Sequence, residues 1–327
     1  MELIALAVPW VLLTLVVVTI GFLWFKKWKV ALCLFLVGLY VNWYWQVVSV
    51  GGCNVADGGK GFKVMSWNCN LTYASDGYKL KNYLVADRIA KEDADVVFVT
   101  ENFCLGKDVL GLLLADQFPY RVHEHNVGGN AVYSKLPIVR DTLMTSKDSP
   151  YAISYIVLRY DDVLFDVYGC HLSSNNYNER MEYMTPDSIC NHSQIKNYLS
   201  NILSASEQRV KQAEIIVRIG NELFGIAHDE DGISRPTIVM GDMNDVCGSP
   251  TLRRLESSGF RDAWCEGRGY GATIHHPLPY RIDHILYRDG TSSSKSSRNL
   301  KLKSIMKIDA DGLSDHDALV AEFEIKK

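Results

Sequence analysis

Two long stretches near the N-terminus, Leu3–Phe25 and Val30–Val50, contain no Asp, Glu, Lys, Arg or His. Each is long enough to cross a hydrocarbon core of ~30 Å as a helix, which takes about 20 residues. The ordering of a cleaved signal peptide is missing too: basic residues should precede the apolar run and small residues follow it. Here Glu2 stands in front and "FLWFKK" behind. The sequence therefore predicts a retained two-helix transmembrane hairpin over residues 3–25 and 30–50, against the alternative of a helical pair buried in a soluble core. Positive charge in short loops stays cytoplasmic. With Lys26, Lys27 and Lys29 forming the joint, Met1 and everything past Val50 are expected outside, on a multi-pass protein of the cell membrane. The aromatic residues Trp43, Tyr44 and Trp45 are then placed for a belt at the outer surface.

An excess of positive charge is also lacking. The chain carries −4, and its first fifty residues carry +2 (three Lys against Glu2), so residues 51–327 carry −4 − 2 = −6. Such a domain does not attract polyphosphate by its bulk field. A local patch from Lys135, Arg253, Arg254 and Arg281 is the one basic surface left open. Seven of the eight cysteines come after the second run, and none forms a C-x-x-C pair. That argues against a zinc ribbon or thioredoxin-type motif. An odd number cannot pair completely, and most suit a role as small buried apolar residues.

Beyond residue 50 the chain alternates between strand-like and helix-like segments. "GGCNVADGGKG" (Gly51–Gly61) reads as a short flexible linker. Strands are predicted at Phe62–Trp67, Val96–Thr100, Asn130–Ser134, Ile153–Tyr160, Val163–Cys170, Thr237–Met240, Arg281–Tyr287 and Ala318–Ile325. Helices are predicted at Tyr83–Ala94, Ser206–Leu223 and Thr251–Gly259. Ile153–Tyr160 and Val163–Cys170, joined at Asp161-Asp162, form a hairpin pattern. Hairpins mixed with helices imply a layered α/β (α+β) domain over residues 62–327. Ser173–Gln194 reads as a polar loop insertion and Thr291–Ser297 as a polar turn.

Oxygen-bearing and imidazole side chains recur at the ends of these strands. Asn68 closes "VMSWNCN", Glu101 closes "VVFVTEN", and His171 ends "YGCH". Asp242 and Asn244 come after "TIVMG", Asp283 lies in "RIDHIL", and Asp315 and His316 precede the last strand. Taken singly, an Asp or Asn after a strand caps a turn. As a set, on rigid strand ends, they suit a functional site. The stretch His123–His125 and the pair His275-His276 lack metal-ligand spacing and read as structural.

The stretches "VMSWNCN", "VVFVTEN", "GGNAVYSKLPI", "YGCHLSS", "GDMNDVCGSP", "RIDHIL" and "LSDHDAL", in this order, resemble the endonuclease/exonuclease/phosphatase (DNase I-like) superfamily across residues 62–325. The chain is especially similar to bacterial members of unassigned substrate that carry N-terminal membrane helices. The resemblance implies a four-layer αββα sandwich of two mixed β-sheets and a metal-dependent phosphoester site at one end. Thr100 stands where relatives often have Gln, and His284 where Tyr is common. The Trp-Cys-Asp-Arg run of the inositol polyphosphate 5-phosphatases is absent near Asp283.

The same resemblance implies roles. Glu101, with Asn68 and Asp315, would hold Mg²⁺, or Mn²⁺ or Ca²⁺ in its place; hard oxygen ligands suit such ions. Asp242 would orient or deprotonate the attacking water, and Asn244 would donate to a phosphoryl oxygen. Asp283 would pair with His316, His171 would flank the phosphate from the other side, and Asn130 would support the site. Asp245 is expected to brace the turn. Three functions compete: a surface-tethered phosphodiesterase or nuclease, a lipid phosphodiesterase or phosphatase of sphingomyelinase type, and an inactive binding module. The implied partners are a phosphoester substrate, nucleic acid or phospholipid, and the membrane; no protein partner is implied.

Overall fold

The computed structural model describes residues 1–52, 61–72, 78–103, 108–123, 129–146, 149–175, 192–218, 235–275, 278–290 and 299–326. Two six-stranded sheets stack face to face. The first contains β2 (Phe62–Thr72), β3 (Val96–Phe103), β4 (Tyr120–His123), β5 (Ala131–Ser134), β13 (Asn299–Ile308) and β14 (Ala318–Lys326), in the order β13-β14-β2-β3-β5-β4. The second contains β6 (Ile138–Ser146), β7 (Ser149–Tyr160), β8 (Val163–His171), β9 (Thr237–Asp242), β10 (Arg261–Asp262) and β12 (Asp283–Arg288), in the order β10-β12-β9-β8-β7-β6. Among the described residues only β2–β3 and β8–β9 pair in parallel, so both sheets are mixed, as the resemblance implies.

Strand alternation assigns each residue to a layer. Phe62, Val64 and Phe98 meet Phe165, Val167, Ile238 and Met240 between the sheets. Their neighbours Met65, Trp67, Val97 and Val99 point outward, toward Val85 and Ile89 of α3 (Tyr78–Glu92) and Leu110 of α4 (Val109–Leu113). On the far side Tyr168, Cys170 and Val239 pack on Ala213 and Ile216 of α5 (His192–Arg218) and on Leu252 and Leu255 of α6 (Pro250–Glu256). This is the expected four-layer arrangement, helix-sheet-sheet-helix.

Several boundaries differ from expectation. Helix α5 starts at His192, inside the stretch read as a polar insertion, and residues 219–223 of the expected helix lie outside the described residues. Residues 176–191 of that insertion, 53–60 of the expected linker and the whole of 291–297 also lie outside them. In the two sheets, strands β4, β6, β10 and β13 add to the eight expected ones.

The N-terminal hairpin is α1 (Glu2–Trp24) and α2 (Trp28–Trp45), both long and apolar enough to cross a membrane. Only 11% and 6% of their apolar windows are buried, which does not fit a helical pair inside a soluble core. The second helix stops five residues short of the expected span. Gln46 turns left-handed at φ 52, and the Asn42 side chain pairs with both backbone groups of Val48 at 2.8 Å. The chain then forms a short strand β1 (Ser49–Val50), which pairs with β11 (Arg268–Gly269) of the domain.

The hairpin thus docks on the domain before the expected linker begins. A Cβ on Gly248 would collide with Trp45, which leaves glycine as the residue that lets α2 approach. Arg253 lies over the rings of Tyr44 and Trp45, with centroids 4.6 and 5.0 Å away. Tyr44 and Trp45 therefore face the domain, and Trp43 is the most exposed of the expected belt. On α1, Trp10 Nε1 donates to Tyr280 Oη at 3.0 Å, and Tyr280 Oη donates to Leu6 O at 3.1 Å.

Between the sheets, a Cβ on Gly169 would overlap the Phe98 ring. Gly169→Ala is therefore expected to destabilise the domain by about 1–3 kcal/mol through overpacking. Thermal unfolding checks this, and an unchanged melting temperature would contradict so close a contact.

Candidate active site

Five strands and one loop bring the site together. In the antiparallel register of β9 and β12, Asp242 lies opposite Asp283, and in the parallel register of β8 and β9, His171 lies opposite Asp242. Asn68 pairs with Thr100, next to Glu101, across β2 and β3 of the facing sheet. His316 arrives from the loop before β14, held where its carbonyl accepts Trp67 Nε1 at 2.9 Å and its backbone bridges to Ile274.

Asp242 Oδ2 is the hub. Asn68 Nδ2 donates to it at 3.1 Å, and the Nε2 atoms of His171 and His316 lie 3.8 and 3.9 Å away. The other oxygen, Oδ1, accepts the backbone N–H of Asn244 at 2.8 Å. Burial raises the Asp242 carboxyl above its usual range and the Asp283 charge adds to this, against the lowering influence of His316 and His171. His316 Nδ1 lies 2.9 Å from Asp283 Oδ2. Burial alone would lower the imidazole, but Asp283 and Asp242 prevail and raise it to about 10. His316 is thus an imidazolium at neutral pH.

Glu101 sits at φ 57, a left-handed conformation unusual for a residue with a side chain. Its Oε1 accepts Asn68 Nδ2 at 3.0 Å and lies 3.7 Å from His171 Nε2. Asn68 Oδ1 accepts the N–H of Asn70 at 3.1 Å, so the amide presents its nitrogen to the carboxylates. Asn68 would act as a cation ligand only after a half-turn that exchanges O for N.

Asp315 is exposed and accepts from Asn70 Nδ2 at 3.2 Å, toward the rim. Asn130 is buried behind Gly129, whose carbonyl accepts the Asn102 N–H. Asn244 departs from expectation. It has φ 50 and lies beyond the end of β9, so strand alternation does not place it beside Asp242. Its Nδ2 donates one N–H to Leu172 O at 2.9 Å.

Among the described residues, groups suited to a metal ion approach one another in two places. Asp242, Asp283 and His316 bring one ligand atom each within 4.8 Å of one another. There the imidazolium already serves as the cation between the two carboxylates. The Glu101–Asn68–Asp242 side offers hard oxygens of the kind a divalent ion prefers, bridged by the Asn68 amide and with His171 Nε2 3.7 and 3.8 Å from the two carboxylates.

Sequence reasoning missed several supports. Lys81 Nζ donates to Asn70 O at 2.6 Å; burial lowers its pKa, opposed by the charges of Asp315 and Glu101. Ser314 Oγ donates to Asn68 O at 2.7 Å, and Thr273 Oγ1 accepts the Asp283 N–H at 3.1 Å. None of these belongs to a recognisable local motif. Asp245 braces the turn, accepting the Val246 N–H and the Arg209 Nε–H, each at 3.1 Å. Its carbonyl lies 3.0 Å from Nε2 of His284. His275 lies 2.9 Å from Asp317, while His276, Glu124 and His125 lie outside the described residues.

A family model described as "Endonuclease/Exonuclease/phosphatase family" matches residues 65–316. The chain belongs to the endonuclease/exonuclease/phosphatase family. Its members are metal-dependent phosphoester hydrolases, and the strand-end cluster lies within the matched region. No curated protein sequence matches the chain significantly. Among solved structures, it is similar to D. rerio TDP2 complexed with single strand DNA product, at 14% identity and TM-score 0.57, covering 81% of this chain and 100% of that one. It is also similar to sphingomyelinase C from Streptomyces griseocarneus, at 17% identity and TM-score 0.52, covering 81% and 99%. The Staphylococcus aureus beta toxin with bound magnesium ions matches at 17% identity and TM-score 0.52, covering 80% and 99%. At these identities the likeness establishes the fold.

The raised His316 pKa carries a sign. Its folded value exceeds the ordinary 6.5, so its pairing with Asp283 stabilises fully below about pH 6.5 and is lost as pH rises through about 10. In metal-free protein, an NMR titration should find His316 cationic until pH about 10, and Asp283→Asn should bring the transition down toward neutrality. A wild-type transition near the ordinary 6.5 would contradict the pairing.

Proposed function

We propose that the protein is a membrane-anchored, divalent-metal-dependent phosphodiesterase whose substrate is the head-group phosphoester of a membrane lipid. The observation that carries the reading is the docking of the apolar hairpin beside the site. Tyr280 contacts Leu6 and Trp10 of α1, and its backbone pairs with Ile274, which in turn bridges to His316. An apolar crevice of about 310 Å³ opens between hairpin and domain, lined by Trp10, Val16, Val48, Tyr270 and Pro279. With α1 and α2 in a bilayer and both their domain-side ends outside, the site lies at the outer surface, where a lipid phosphate reaches it while its chains stay in the apolar layer.

The nuclease reading loses its basic patch. Arg281 is buried and paired with Asp262, Arg254 pairs with Glu214, and Lys135 pairs with Asp93. Arg253 donates to Gly248 O and stacks on Tyr44 and Trp45. Duplex binding relies on lysine and arginine free to neutralise phosphates.

In this reading Asp242 orients the attacking water and takes its proton, a task suited to a carboxyl raised by burial. The His316 imidazolium, held by Asp283, faces the phosphoryl group and supplies positive charge or a proton to the leaving oxygen. His171 contacts the phosphate from the opposite flank, and the remaining N–H of Asn244 completes the donors. Glu101 and Asn68 would hold Mg²⁺, with Asp315 at the rim. When bound, that ion supplies charge relief on the phosphoryl oxygens.

Asp242→Asn should lower turnover by about 10²–10⁴-fold without unfolding the protein. Purified full-length protein in detergent, given Mg²⁺, should release choline phosphate from sphingomyelin or another choline lipid and stop when EDTA is added. Plasmid nicking with no lipid cleavage would favour the nuclease, and metal binding without any hydrolysis would favour an inactive module.

A further inference from the structure

A buried cation beside the reacting groups takes no part in the proposed hydrolysis. Arg209 of α5 has a fully buried side chain. Its Nε donates to Asp245 Oδ2 at 3.1 Å, and its Nη1 donates to Ser173 O at 3.0 Å and to Asn175 Oδ1 at 2.9 Å. Its Nη2 donates to Glu2 Oε1 at 3.0 Å. Glu2 is only 2% exposed, and its second oxygen accepts Ser206 Oγ at 3.1 Å. One guanidinium therefore ties together the first turn of α1, the loop two residues past His171, and the residue next to Asn244.

A guanidinium in a dry interior persists only when its charge and its N–H groups are matched. The carboxyls of Glu2 and Asp245 face it from two sides, and the oxygens of Ser173 and Asn175 supply further acceptors. Of these partners, Glu2 alone comes from outside the hydrolytic domain. Along α1 the buried residues are Glu2, Ala5 and Val8, spaced three apart, so one face of the helix is committed to the domain. The neighbouring loop is held as well, with the Ser173 N–H on Gln212 Oε1 at 3.1 Å.

We infer that the N-terminal helix is a working part of the active site, with Glu2 acting through Arg209 as a positioning residue for His171 and the Asp242–Asn244 turn. The inference rests on the hydrolysis proposed above. Seating of the hairpin on the domain then sets turnover, and loss of that seating loosens two of the loops that face the phosphate.

The test uses the full chain in detergent micelles with Mg²⁺ and bis(4-nitrophenyl) phosphate as the probe. Glu2→Ala should lower kcat by about tenfold, because small misplacement of reacting groups is expensive, with KM within about twofold of wild type. Glu2→Gln keeps the size and one acceptor oxygen, so it should fold normally and lose about threefold in kcat. In an Arg209→Met background, Glu2→Ala should have less than about a twofold further effect, since both act through one contact. Lys26→Ala with Lys27→Ala, at the far tip of the hairpin, should leave kcat unchanged. A folded Glu2→Ala or Glu2→Gln protein with wild-type kcat overturns the inference, as does a full multiplicative loss in the Arg209→Met background. A wild-type protein that hydrolyses neither this probe nor any lipid overturns the hydrolase reading, and this inference with it.

Discussion

Asp242 and Asp283 face each other across β9 and β12, both at 2% exposure or less. Two buried carboxylates at that spacing repel, and neither is well solvated. The imidazolium of His316 makes the pair tolerable, hydrogen-bonded to one acid and 3.9 Å from the other. His316 comes from the loop that leads into β14 of the opposite sheet, so the charges balance only when the two sheets stack at the correct height. Trp67, on β2, fixes that height through its bond to the His316 carbonyl. The inter-sheet core and the active site are therefore one construction, and the apolar packing serves to bring acid and imidazole together.

The apolar N-terminal hairpin is also held by specific contacts. Its two helices leave most of their apolar surface uncovered, and its domain-side ends dock by polar and aromatic contacts near the turn after β9. A flexible tether would let the domain tumble. Docking through β1–β11, Trp45 on Gly248 and Glu2 on Arg209 instead fixes one face of the sandwich toward the hairpin. In the function proposed above, that orientation favours a lipid phosphoester over a nucleic acid in solution.

Much of this was legible in the sequence because strand ends carry their chemistry locally: "GDMN", "RIDHIL" and "SDH" each announce a site residue beside an apolar run. Strands β6 and β13 escaped because register shifts at Ile138/Arg140 and Leu302/Ser304 break the two-residue alternation that identifies a strand. The start of α5 escaped because its first turns are polar and continue a polar stretch, although Asn191 just before it and Gln194 three residues later form a helix-start signal in the sequence. Strand alternation gives no guide to the Asn244 side chain, because a left-handed residue beyond the strand end does not obey it. No local pattern could pair Glu2 with Arg209, which are 207 positions apart; a lone acid before an apolar run reads as a flank.

The central claim is that side chains from both sheets converge on a divalent ion at the Glu101 side of Asp242, leaving His316 and Asp283 to handle the phosphate. Anomalous diffraction from crystals grown with Mn²⁺ tests it most directly. A single strong peak bounded by Glu101 and Asn68 is expected, with the Asn68 amide turned to present its oxygen. A peak enclosed by Asp242, Asp283 and His316, with Glu101 uninvolved, would contradict it.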